Sequence, residues 1–172
     1  MLKKSRKKTD WQSFLKSLSE IKVDFVIIGG SALTLHGIPR TTIDVDIQIS
    51  SKEDNIRRLI HGLEKSGLEL DDDDFLPLVS RAELLYGQCI SFSVPDGPQI
   101  IDVFLEAPNE FAGLLKSSRR IRFGGFHLQV AALSEIRRMK IEAGRPRDLA
   151  DVALIDEFLE ITREDSDTAA AD

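Results

Sequence analysis

The 172-residue chain has a single cysteine, Cys89, which excludes a disulfide framework and a cysteine-based zinc site. No apolar run approaches the roughly 20 residues of a membrane span. The first residues, MLKKSRKKTD, lead into an amphipathic pattern rather than the apolar core of a secretory signal. A cytoplasmic protein with no membrane partner is expected. An excess of positive charge is missing too: 23 Lys and Arg face 29 Asp and Glu, a net charge of −6. That balance argues against a protein whose main work is coating nucleic acid, but leaves room for a local basic pocket for a phosphorylated ligand. There is no internal repeat and no interior low-complexity linker. One domain is therefore expected over residues 10–161, between a basic disordered head at 1–9 and an acidic disordered tail at 162–172.

What is present is an interleaving of helix and strand patterns. Trp11, Phe14, Leu15, Leu18 and Ile21 recur at helical spacing, predicting a helix from about Asp10 to Glu20. VDFVIIGG reads as a buried strand stopped by Gly29 and Gly30, and SALTLH as a short helix with Ser31 as N-cap and Gly37 as its stop. A second amphipathic helix is expected from about Lys52 to Lys65, with Gly67 behind it, and the run Asp71 to Asp74 as a solvated loop. CISFSV and QIIDVFLE flank PDGP, a hairpin signal, and RIRFGGFHLQV is a second hairpin turning on Gly124 and Gly125. A short helix is expected after Asn109, and two more, Ser134 to Ala143 and Arg147 to Glu160, close the chain. Two hairpins force antiparallel pairs, so the fold class is an α/β (α+β) domain with a mixed sheet flanked by helices.

The stretch TTIDVDIQIS, Thr41 to Ser50, alternates strictly, with Ile43, Val45, Ile47 and Ile49 on one side and Asp44, Asp46 and Gln48 on the other. Asp is a poor strand former, so two of them on one face need a reason. Carboxylates about 6–7 Å apart along a strand repel unless a cation sits between them, and an all-oxygen site suits Mg²⁺. Two solvated acids on a surface strand would also explain the pattern. A third acid, Asp102, stands alone among Ile100, Ile101, Val103 and Phe104, where it needs a partner or a metal. If the two strands are neighbours, three carboxylates converge beside the glycine turn in a two-metal phosphoryl-transfer arrangement.

Gly29 and Gly30, between a strand and a helix, offer bare backbone N–H groups at a helix N-terminus, where an anion is favoured, and Ser31 could add a hydroxyl. An ordinary tight turn needs the same residues. The segment lacks the third glycine of a dinucleotide fingerprint and the ending of a P-loop. In KIEAGRPRDLAD, helical winding turns Lys140, Asp148 and Asp151 inward, where charges are rarely left unpaired. Acids in the first turn of a helix also meet its dipole, and a lysine can snorkel.

Together, GGSALTLHGIPRTTIDVDI and KIEAGRPRDLADVALI resemble the signatures of the DNA polymerase β-like nucleotidyltransferases, and specifically the AbiEii-type minimal ones. The resemblance implies transfer of a nucleoside monophosphate from a nucleoside triphosphate. Gly29, Gly30 and Ser31 would hold the triphosphate. Asp44 and Asp46 would bind two Mg²⁺ ions, with Mn²⁺ as an alternative, and Asp102 would complete the metal and catalytic set and accept the hydroxyl proton. Lys140 would bind phosphate, with Arg145 and Asp148 at the remaining late-motif positions and Arg40 within reach of a phosphate. Several relatives use helices after this motif to hold an acceptor such as tRNA. Here little chain follows it, so a protein partner or second copy is expected to complete the site. The acceptor hydroxyl could belong to RNA, a protein or a small molecule, in a toxin–antitoxin or resistance setting. The competing expectations are a triphosphate-binding regulatory module without transfer activity, and an interaction protein whose acidic strand is merely surface.

Overall fold

The computed structural model describes residues 11–70 and 74–169. The basic head at 1–9, the predicted helix start at Asp10, Asp71 to Asp73 and the last three residues lie outside the described residues. The first helix, α1 (Trp11–Glu20), precedes β1 (Phe25–Ile28), which passes directly into α2 (Gly29–Leu35). Then come β2 (Val45–Ser50), α3 (Glu53–Ser66), the two-residue β3 (Glu69–Leu70) and a 3₁₀ segment, Leu76–Leu85, broken at Arg81. The hairpin β4 (Cys89–Ser93) and β5 (Gln99–Glu106) follows, then α4 (Pro108–Ser117) and the hairpin β6 (Arg119–Phe123) and β7 (Phe126–Val130). Two helices, α5 (Leu133–Ala143) and α6 (Pro146–Ala169), complete the described chain.

The strands form one seven-stranded sheet in the order β3-β4-β5-β2-β1-β7-β6. β1 runs antiparallel to β2 and parallel to β7, while β2 runs parallel to β5. The outer pairs are hairpin-like and antiparallel. This is the mixed sheet that the two turn signals predict. Both faces of the central strands are covered, which is why β1 is apolar without alternation. On one face Val45, Ile47 and Ile49 are fully buried beneath α1 and α3, whose Phe14, Leu15, Leu18, Ile56 and Leu59 complete the core. Trp11 stacks on Phe123 at 5.4 Å and ties α1 to the β6 end of that face. α4 lies over the other face, where Gly113, Leu114 and Ser117 wall the same cleft as Gln48 and Phe104.

Three sequence expectations are corrected. The alternation of TTIDVDIQIS predicts that Ile43 anchors the strand, but β2 begins only at Val45 and Ile43 is 79% exposed. The Thr42 hydroxyl lies 2.9 Å from both the backbone oxygen and Oδ1 of Asp44, a local turn that competes with the ladder. Ser31 is not an N-cap. It sits inside the first turn of α2, which Ile28 caps, and donates its hydroxyl to the Ile28 carbonyl at 3.1 Å. The last helix does not stop near Glu160 but runs to Ala169, through most of the predicted acidic tail. Residues 161–169 contain neither Gly nor Pro, so nothing local ends it.

Candidate active site

Register does the decisive work. Asp46 on β2 stands directly opposite Asp102 on β5, and on its other side opposite Ile28, the last residue before the glycine turn. Residues opposite one another in a ladder share a face, so the two carboxylates and the start of α2 meet at one point. Asp44 follows the Thr42 turn just before β2. All three acids line an open cleft of about 1070 Å³, together with Gly29, Gly30, Arg40, Lys140, Arg145, Arg147 and Asp148.

The turn is built around Asp46. Gly29 has φ +63, and a Cβ there would collide with the Asp46 carboxylate; any side chain is therefore excluded twice, by conformation and by space. The Gly30 N–H donates to that carboxylate. Burial above all, then the charges of Asp44 and Asp102, push Asp46 up to about 6, against the opposing pull of Lys140 and the Gly30 bond. Crowded acids thus resist ionising together. Asp102 accepts the Ser91 hydroxyl at 2.6 Å and the Gln99 amide, both on Oδ1. Gln99 also reaches Ser91 at 2.9 Å. Among the described residues, no three His, Cys, Asp or Glu side chains already stand so as to hold a metal ion.

The late motif forms a second cluster. Lys140 Nζ lies 3.2 Å from Asp148 and 2.6 Å from Asp151, and the three side chains are only 9%, 2% and 5% exposed. Arg145 pairs with Asp148 from the cleft mouth, its own side chain 57% exposed. Arg40 crosses from the loop to bond Asp151 at 2.7 Å, and its guanidinium lies against Gly30, where a Cβ would come within 3.0 Å of Nη1. Burial works to raise the Asp148 carboxyl, but the hydrogen bonds of Arg145 and Lys140 outweigh it and leave it below its ordinary value. Asp151 is lowered likewise, burial again being overcome by Arg40 and Lys140.

The structure therefore brings together Asp44, Asp46, Asp102, Gly29 and Gly30, and separately Arg40, Lys140, Arg145, Asp148 and Asp151. Ser31 is the exception: it is buried, bonded to Ile28, and does not line the cleft. Three residues escape the sequence reading, and a fourth, Arg147, carries no role in it. Thr42, Ser91 and Gln99 hold the acids but carry no motif of their own. Arg147 lines the cleft with no carboxylate against it among the described residues. Its place beside Arg145 in GRPRD was the available signal.

A strand–glycine turn–helix carrying acids on the two neighbouring central strands defines a class, and solved structures share the fold. One is ANT(2")-Ia, solved with adenylyl-2"-tobramycin: TM-score 0.59, 16% identity, 93% of each chain covered. Another is a Thermotoga maritima protein described as a nucleotidyltransferase: TM-score 0.54, 16% identity, 87% of this chain and 90% of that one. A third is an antigenic nucleotidyltransferase-like protein from Paracoccidioides brasiliensis: TM-score 0.52, 18% identity, 86% and 75% covered. No curated protein sequence matches the chain. The family model for the nucleotidyl transferase AbiEii toxin of type IV toxin–antitoxin systems matches residues 9–171. The chain belongs to that family, and it is a nucleotidyltransferase.

Proposed function

We propose that the cleft moves a nucleoside monophosphate from a nucleoside triphosphate onto an acceptor hydroxyl, with Mg²⁺ as the working metal. The observation that carries this reading is the pairing of Asp46 opposite Asp102, with Asp44 two residues away and the glycine turn against them. The donor set is entirely oxygen, and burial together with the charges of Asp44 and Asp102 pushes Asp46 up to about 6, a cost that a divalent cation relieves. Asp44, Asp46 and Asp102 would hold it. When bound, such ions lower the pKa of an attacking hydroxyl and neutralise the leaving pyrophosphate.

The chain's own residues divide the remaining work. Ser91 and Gln99 hold Asp102 by one oxygen, leaving Oδ2 to take the acceptor proton. Gly29 clears the space for Asp46, and the Gly30 N–H fixes its orientation. Lys140 is engaged by two acids, so the triphosphate meets Arg147 and the exposed Arg145 first. Arg40 clamps its loop to α6 and holds the wall beside Gly30.

The test is transfer of label from each nucleoside triphosphate in Mg²⁺ to RNA or to a cell extract. The native protein should label an acceptor, and Asp44→Ala/Asp46→Ala should label it at least a thousandfold more slowly, a loss of about 4 kcal/mol of transition-state stabilisation. Tight triphosphate binding without transfer to any acceptor would make the protein a binding module instead.

A further inference from the structure

The cleft is charged unevenly. Among the described residues its basic side chains, Arg40, Arg138, Lys140, Arg145 and Arg147, come from the loop before β2, from α5 and from α6. The Arg40 guanidinium lies against Gly30. None comes from β5 or α4, which bring Glu106 and Glu110 to the cleft instead. These two carboxyls are within hydrogen-bonding reach of each other. Burial above all, then that bond and the Glu110 charge, raise Glu106 above its ordinary value. Neither acid has a cation partner among the described residues, whereas Glu135 and Glu142 of the same cleft are both held by Arg138.

An acid in the first turn of a helix meets its dipole, so Glu110 alone would need no further account. Gln48 does. Its side chain lines the cleft, the residue is only 9% exposed, and it makes no side-chain hydrogen bond among the described residues. A buried amide without a partner is costly, and a ligand is one way to pair it. Register places it between the two groups of acids. Gln48 pairs with Phe104 one row beyond Asp46 and Asp102, and Ser50 pairs with Glu106 one row further. Two residues of strand advance about 6–7 Å, so Glu106 stands about 13 Å from Asp102 along β5. The Ser50 hydroxyl is buried and unpaired as well among the described residues. Ile28 pairs with Asp46 and Val26 with Gln48, so the glycine turn lies on the opposite side of the acids from Gln48. Over this stretch α4 leaves room, since a Cβ on Gly113 would meet nothing within 4 Å.

In-line displacement puts the attacking oxygen opposite the leaving pyrophosphate. With the triphosphate at the glycine turn and the arginines, the acceptor enters from the Gln48 side. We propose that Gln48, Phe104, Glu106 and Glu110 form an acceptor subsite for a small hydroxyl-bearing amine of the amino-sugar type, its ammonium group held by the two glutamates. This rests on the transferase reading and names its acceptor class. Gln48 both donates to and accepts from ring hydroxyls, and Phe104 offers an apolar face to the ring. An ammonium between the carboxyls lets both ionise and makes charge-assisted hydrogen bonds to them. The reacting hydroxyl gives its proton to Asp102 and its oxygen bonds the α-phosphorus. The bond from that phosphorus to the β-phosphate oxygen breaks, its electron pair leaving on pyrophosphate.

The probes are the glucosamine disaccharide and its N,N′-diacetyl counterpart, which share their ring hydroxyls and differ in charge. Ligand-observed NMR titration of the whole protein in Mg²⁺ should show the diamine bound on the order of tenfold more tightly, as hydrogen bonds to charged groups allow. Glu106→Gln/Glu110→Gln should abolish that preference, while Glu157→Gln/Glu160→Gln, on the exposed face of α6, should keep it. Gln48→Leu should weaken both sugars about fivefold without lowering the melting temperature. Label from an α-labelled nucleoside triphosphate should pass to the diamine. The proposal is overturned if the native protein binds the two sugars equally or not at all, or if the preference survives in the double glutamate variant. Unchanged binding in a folded Gln48→Leu overturns it too, as does triphosphate binding with no label passed to the diamine. Calorimetry with a nucleoside triphosphate runs in parallel, and no binding there by the native protein sinks the transferase reading independently.

Discussion

The acids of β2 and β5 face one another with no cation in contact among the described residues. Asp148 and Asp151 of α6 each hold two: Asp148 has Lys140 and Arg145, Asp151 has Lys140 and Arg40. Both clusters border the same cleft, yet their chemistry runs in opposite directions. In α6 the pairing pulls the carboxyls below their ordinary range, while in β2 burial, with the neighbouring acids, pushes Asp46 up to about 6. A satisfied cluster fixes geometry. A cluster left short of positive charge is where a positive ligand belongs. On the proposed reading, the late motif is the frame and the strand acids are the reactive part.

The comparison breaks most visibly at Lys140. Removing it should leave two nearly buried carboxylates with one exposed arginine and one half-buried arginine between them. Lys140→Met is expected to cost about 3–5 kcal/mol of folding stability, the usual result of breaking one side of a buried ion pair. Urea unfolding measures it. If the loss came to less than about 1 kcal/mol with the native m-value kept, Lys140 would be a ligand-binding residue held in waiting rather than part of the frame.

Asp46 should behave in the opposite sense. Its folded value is raised, so the metal-free chain gains stability from keeping it protonated. That contribution is whole below about pH 4 and is lost as pH rises through about 6. Asp46→Asn removes this step. His36, lowered chiefly by burial, contributes with the opposite sign, but it is common to both proteins. The difference between Asp46→Asn and native stability should therefore grow in the variant's favour from pH 5 to pH 7.5, by about 1.4 kcal/mol. Excess Mg²⁺ should reverse it, by stabilising only the native chain. A flat difference across that range would mean that neither burial nor the neighbouring acids raise Asp46.

Much of this was legible in the sequence, for reasons that differ residue by residue. Asp46 and Asp102 could be read because a strand period is rigid, and an acid on an apolar strand contradicts its surroundings. Lys140 and Asp148 could be read because helical winding is equally regular. Arg40 could not: its partner Asp151 is 111 positions away, and no local rule links a loop arginine to a distant helix. Ile43 misled because the alternation continues two residues past the point where Thr42 turns the chain. Ser31 misled because a serine near a helix start suits an N-cap, whereas here the helix begins two residues earlier and turns the hydroxyl back onto Ile28. The 3₁₀ segment and β3 were missed because neither has a period long enough to register.

The smallest expected effect lies at Arg147, and it isolates ligand binding from framework. Arg145 and Arg147 are two residues apart at the same cleft mouth, both exposed, but among the described residues only Arg145 has a carboxylate. Arg145→Gln should therefore disturb Asp148 and the folded state as well as the ligand. Arg147→Gln should leave the melting temperature in place and weaken nucleoside triphosphate binding about fivefold, or about 1 kcal/mol, as expected for one solvent-exposed charge contact. Calorimetric titration in Mg²⁺ measures the affinity, and a thermal melt supplies the control. The effect should shrink with added salt, because an exposed contact is screened. Unchanged affinity in Arg147→Gln, with a loss in Arg145→Gln, would move the triphosphate onto the paired arginine. Charge compensation would then no longer distinguish frame from site at this cleft.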